Sequence, residues 1–133
     1  MSSGAESTEK GRERRRLRFG RRERLTARRE FQFVMAAGRQ FSAFGIRFRY
    51  VRSPFPWSRL GLTVGKRAAA KAVARSRIRR FLREGFRHTK DCIPFPADVV
   101  AMPYPEAQLT FERARAAFAA LWQAMARRPP EAR

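Results

Sequence analysis

Lys66-Arg67-Ala68-Ala69-Ala70-Lys71-Ala72-Val73-Ala74-Arg75-Ser76-Arg77-Ile78-Arg79-Arg80-Phe81-Leu82-Arg83-Glu84-Gly85-Phe86-Arg87 is a run crowded with lysine and arginine, and Glu84 is its only acid. From Ala72 onward the spacing predicts a helix that ends near His88. Ile78, Phe81, Leu82 and Gly85 stand at i, i+3, i+4 and i+7 and share one face. Arg75, Arg79 and Arg83 run along one flank, and Arg77 and Arg80 continue around the outer side. Guanidinium groups on a rigid rod repel one another unless something anionic lies against them, and one glutamate cannot neutralise five. The plain alternative is a solvated basic face.

Upstream of this run lie two periodic segments. Phe31, Val34 and Met35 form a helical stripe, with Thr26 as the expected N-cap and Gly38 as the stop. Phe33 falls off the stripe. After Gly38 the period becomes two. Phe44, Ile46, Phe48 and Tyr50 alternate with Gly45, Arg47, Arg49 and Val51, which predicts a strand with an apolar and a basic face. A short strand over Arg39 to Ser42 is expected before it. Ser53 to Ser58 holds two prolines and reads as a turn, and Leu60, Leu62 and Val64 predict a strand from Arg59 to Gly65. Trp57, beside it, either caps the core or stacks on a base.

Downstream, Pro94 and Pro96 mark a loop, and Val99 and Val100 lie in a short strand from Ala97 to Met102. Thr110 is an expected N-cap. Phe111, Ala114, Phe118, Leu121, Trp122 and Met125 then recur at helical spacing as core residues. The element order is α-β-β-β-α-β-α. It implies an α+β sandwich with helices on one face of a small sheet and the Arg47 and Arg49 face left open. Residues 1–17 are polar and basic and are expected to be a disordered extension. Such a tail either reaches for phosphates or keeps the chain soluble. Residues 18–126 form one domain and 127–133 a tail.

The chain has 133 residues and a formal net charge of +20, which favours polyanions as partners. One cysteine, Cys92, permits no disulfide framework, and fits a reducing, cytoplasmic location. No run is long and apolar enough to span a membrane. The one histidine, His88, has no acid–base partner in view. No paired carboxylates, Gly-rich phosphate loop, metal-ligand cluster or Ser-His-Asp set is legible, so the chain is expected to bind rather than catalyse unaided. Two surfaces offer themselves. The arginine rod suits phosphates. Phe31, Met35, Phe44, Arg47, Phe48 and Arg49 mix aromatics with basic groups and suit a single strand.

Lys66-Arg67 followed by Ala72 to Glu84 resembles the signature helix of the bacterial ribonuclease P protein component. The flanks agree: Arg24-Leu25 with Glu30-Phe31, Val34 and Gly38; Arg59 to Lys66; Asp98 to Val100; and Leu109 to Glu112. The resemblance implies a four-stranded sheet with a left-handed β-α-β crossover, similar to a domain of some ribosomal proteins. It implies partnership with a catalytic RNA and with precursor tRNA, whose 5′ leader is removed. The RNA and its Mg²⁺ would carry the chemistry, with no dedicated metal site on the protein and no membrane or small-molecule partner. Lys66, Arg67, Lys71, Arg75, Ser76, Arg77, Arg79, Arg80 and Arg83 would face the catalytic RNA. Phe31, Met35, Phe44, Arg47, Phe48 and Arg49 would line the leader cleft. Four features depart from the family: Ser76 stands in place of Asn, Met35 in place of an aromatic, no Arg occurs near Met102-Pro103, and the N-terminal extension is longer than the family minimum. A ribosomal-type RNA-binding protein with no role in cleavage is the alternative, and a membrane-surface or chromatin-like basic protein is a third class.

Overall fold

The computed structural model describes residues 18–105 and 107–130; the expected extension over 1–17 lies outside them. Helix α1 (Arg28–Ala37) is followed by strands β1 (Arg39–Ala43), β2 (Ile46–Arg52) and β3 (Arg59–Leu62). Helix α2 (Ala72–Thr89), strand β4 (Ala97–Pro103) and helix α3 (Phe111–Arg127) complete the expected α+β order. No helix among the described residues is long and apolar enough to cross a membrane.

The four strands lie in the order β1-β2-β4-β3. β2 pairs antiparallel with both β1 and β4, whereas β3 and β4 run parallel, so α2 serves as the crossover between them. β1 turns into β2 through Phe44 and Gly45, whose φ values are 51° and 82°. A two-residue loop with both φ positive matches the twist of the flanking strands. The expected strand from Phe44 to Val51 therefore begins at Ile46, and Phe44 sits on the turn, 50% exposed. Gly45 also has no room for a side chain, because a Cβ there would lie 2.8 Å from the Ala107 Cβ.

The principal core lies between the sheet and helices α2 and α3. Ile46, Phe48 and Tyr50 of β2 and Val99 and Ala101 of β4 meet Leu82 and Phe86 of α2 and Phe118, Leu121 and Trp122 of α3. Trp122 donates its indole N–H to the Thr89 hydroxyl at 2.9 Å, which satisfies a buried donor at the end of α2. Thr110 caps α3 as expected, accepting from the Arg113 N–H at 3.1 Å. Thr26 does not cap α1; the N-cap is Ala27 and makes no side-chain bond.

α1 lies on the opposite sheet face from α2 and α3, rather than beside them as the sequence led us to expect. Val51 and Val100 project away from the principal core and would be left wet. Leu25 and Val34 bury them in a second cluster, against which Phe31, Met35 and Met102 pack. The Arg47 and Arg49 face is therefore partly roofed by α1, which turns an open sheet into a groove.

Candidate nucleic-acid interface

The apolar face of α2 is built as its spacing required: Leu82, Gly85 and Phe86 are buried, and Ile78 and Phe81 pack at the core margin. That seating fixes where the arginines point. Arg77, Arg80 and Arg83 are exposed, as are Lys66, Arg67, Lys71 and Ser76. Arg75 and Arg79 are half-buried. Arg75 folds back to donate from Nη1 to the Ala69 and Ala70 carbonyls, at 3.0 and 2.8 Å. Arg79 donates to the Val64 carbonyl at 3.0 Å. These two side chains hold the 63–71 connection against the start of the helix while keeping their charge at its surface.

Acidic partners lie elsewhere. Glu84 meets Arg87 at 2.5 Å and His88 at 3.3 Å, so the histidine does have a carboxylate one turn away. The Arg87 hydrogen bond is the main reason the Glu84 carboxyl is held below its usual range. Glu23 pairs with Lys90 at 2.9 Å. Among the described residues no carboxylate lies against Lys66, Arg67, Lys71 or Arg77. Nor do three His, Cys, Asp or Glu side chains gather into a metal-holding group there.

Two cavities gather the basic and aromatic side chains, and the first joins the rod to α1. One, of about 280 Å³, is lined by Phe19, Arg24, Phe31, Gly61, Arg79 and Arg83 among others. Phe31 lies over Gly61, where a Cβ would come within 3.0 Å of its ring. Partial desolvation against the cavity wall, then the like charges of Arg24 and Arg79, pull the Arg83 guanidinium below its ordinary range. Among the described residues that line it there is no acid, and three cations beside an aromatic wall would stabilise an anion with a flat ring. The second cavity, of about 480 Å³, places Arg47 with Lys66, Arg67, Met102 and Tyr104.

The remaining expected groove residues divide. Met35 packs at the edge of the α1 cluster. Arg49 donates to the Gly38 carbonyl at 3.2 Å and ties β2 to the end of α1. Phe44 is exposed on the hairpin turn, outside β2. Phe48 is not in the groove at all. It is fully buried, with its ring 5.1 Å from that of Phe118. Strand alternation puts it on the same face as Ile46 and Tyr50, so it belongs to the principal core. Trp57 is also occupied within the protein: it stacks on Phe55 at 4.7 Å, carries Arg22 over its ring, and donates to the Arg22 carbonyl at 2.9 Å.

Three residues at these cavities were not among the binding residues expected from the sequence. Phe19 was hidden at the end of a basic tail, and Arg24 was noted only in a flank of the resemblance. Tyr104 stands between two prolines and carried no expectation of its own. The sole signal for it was an isolated aromatic at the point where the resemblance expects a cation.

Residues 19–126 match the family model described as Ribonuclease P. The ribonuclease P protein component of Thermotoga maritima is 39% identical over 97 residues, covering 71% of this chain and 80% of the relative. That of Legionella pneumophila is 34% identical over 88 residues, covering 65% and 74%. The solved structure of the RNase P protein from Thermotoga maritima aligns with a TM-score of 0.67 at 28% identity, over 77% of this chain and 96% of that one. An RNase P protein structure from Staphylococcus aureus gives a TM-score of 0.67 at 21% identity, over 77% and 94%, and supports the fold. With the signature helix, its flanking strands and the sheet order all in place, the chain belongs to the ribonuclease P protein component family.

Proposed function

We propose that this chain is the protein subunit of a ribonucleoprotein endoribonuclease that removes the 5′ leader from precursor tRNA. It binds the catalytic RNA through the exposed cations of α2 and the Lys66-Arg67 approach, and it holds the single-stranded leader in the groove between α1 and the sheet. The bond-breaking chemistry is assigned to the RNA and its Mg²⁺. The observation that carries the reading is the meeting of Phe31 with Arg79 and Arg83 in one cavity. An aromatic wall and two cations there offer stacking and phosphate contact side by side. Counterion release at such contacts supplies affinity that falls steeply with salt.

The test is reconstitution at low Mg²⁺. The protein alone is expected to leave precursor tRNA intact, and the cognate catalytic RNA alone to cleave poorly. Together they should cleave at the tRNA 5′ end. Failure of the protein to rescue cleavage, with RNA binding intact, would leave a general RNA-binding protein instead.

A further inference from the structure

The cavity at the end of the sheet contains an aromatic platform that the leader reading does not require. Tyr104 is fixed at three points. Its backbone N–H donates to the Gly45 carbonyl at 2.9 Å, its hydroxyl lies 3.1 Å from the Ser42 hydroxyl, and the Arg47 guanidinium sits 5.2 Å from its ring centre. Yet the side chain remains 38% exposed. An aromatic ring held this firmly at the surface loses little freedom when something stacks on it. Met102 and Pro103 provide an apolar floor, and Lys66 and Arg67 stand on the rim of the same cavity.

We propose that this cavity is a nucleobase subsite for single-stranded RNA, with one base stacked on Tyr104 and its flanking phosphate beside Arg47, where the leader groove adjoins the Lys66-Arg67 approach to the catalytic RNA. The inference rests on the leader-binding reading above and adds to it one specific contact. Met102 connects the subsite to the groove, because it packs in the cluster that holds Met35 and also lines the cavity with Tyr104. Met35 stands where the resemblance expects an aromatic, and Tyr104 supplies an aromatic in the cavity that Met102 also lines. Stacking of this kind tolerates any base, so the subsite favours an unpaired nucleotide at one leader position over a particular sequence.

The experiment uses the complex of the protein with its cognate catalytic RNA. Affinities are measured for mature tRNA and for precursors carrying a single abasic position at successive places in the leader. Tyr104→Ala should bind intact precursor roughly tenfold more weakly, about the loss of one stacked base, and mature tRNA as before. Tyr104→Phe should bind precursor normally. One abasic position should weaken the unsubstituted complex and have no further effect on Tyr104→Ala. Equal loss for precursor and mature tRNA, or abasic penalties unchanged by Tyr104→Ala, would overturn the subsite while leaving the leader groove standing. No affinity difference between precursor and mature tRNA in the unsubstituted complex would overturn both.

Discussion

Arg59 and Asp98 face each other across the parallel β3–β4 pair, joined by Nε–H to Oδ1 at 2.9 Å and Nη2–H to Oδ2 at 2.6 Å. Asp98 is fully buried and Arg59 nearly so. Glu30 of α1 reaches the same Nη2, and the Phe55 ring lies 4.9 Å from the guanidinium. The Asp98 hydrogen bond is the largest reason the Arg59 guanidinium is raised above its usual range. One arginine thereby ties the helix that roofs the groove to two strands of the sheet beneath it.

Removing Asp98 leaves that guanidinium buried beside a single, partly exposed acid. Asp98→Ala should lose about 3–5 kcal/mol of unfolding free energy in a denaturant titration. Glu30→Ala, at the solvent side of the same arginine, should lose clearly less, because water can replace the carboxylate. A loss for Glu30→Ala as large as that for Asp98→Ala would contradict this division.

The arginines of α2 separate into two groups that mutation should distinguish. Arg77→Ala and Arg80→Ala remove exposed charges, so thermal stability should stay within about 0.5 kcal/mol of the parent. If each contacts a phosphate, affinity for the catalytic RNA should fall and the slope of log K against log salt should drop by about one per residue. Arg75→Ala and Arg79→Ala should weaken RNA binding and also destabilise the fold, by about 1 kcal/mol for each lost group of carbonyl bonds. Equilibrium unfolding alongside salt-dependent binding checks both halves.

The existence of α2, its buried face and the element order were legible because apolar spacing of 3.6 or 2 residues directly reports which side meets a core. The direction of each arginine was not, since Arg75 and Arg79 turn toward carbonyls supplied by the 63–71 connection, whose path no periodicity describes. α1 was placed on the wrong side for a related reason. Its stripe shows that one face is buried, while the choice of sheet face depends on Val51 and Val100, which come from two different strands. Phe48 was assigned to the groove although it alternates in phase with Ile46 and Tyr50. One side of a strand cannot serve both core and groove over the same few residues, and burial of its neighbours decides the matter. Tyr104 is set in place by contacts with Ser42, Gly45 and Arg47, some 60 residues away in the chain.

Phe31 and Phe48 should therefore behave oppositely when truncated. Phe48→Ala empties a fully buried site between β2 and α3 and should cost about 3–5 kcal/mol of stability. Phe31→Ala removes a half-buried ring at the margin of a cavity and should cost less. In complex with the catalytic RNA, Phe31→Ala should weaken precursor tRNA binding by roughly 5- to 100-fold, the worth of a stacked base, and leave mature tRNA binding near normal. Equal losses for the two tRNAs would remove Phe31 from any leader contact.

Gly85 lies where α2 crosses α3, and two effects of replacing it with alanine compete. Alanine is the better helix former by about 1 kcal/mol in a helix interior. Against that, a Cβ at this position would come within 3.0 Å of the Ala114 carbonyl carbon and of the Phe118 ring. The ring can shift slightly, but the Ala114 backbone belongs to a helix anchored by Phe118, Leu121 and Trp122 in the core. Relief therefore requires the two helices to separate, and overpacking of this kind costs about 1–3 kcal/mol. Gly85→Ala should be destabilising on balance, by up to about 2 kcal/mol, and Gly85→Leu by considerably more. Because the exposed cations of α2 point away from this contact, Gly85→Ala should retain its affinity for the catalytic RNA at temperatures where it is folded. Stabilisation by Gly85→Ala in a thermal melt would show that the helices can part more easily than the packing implies.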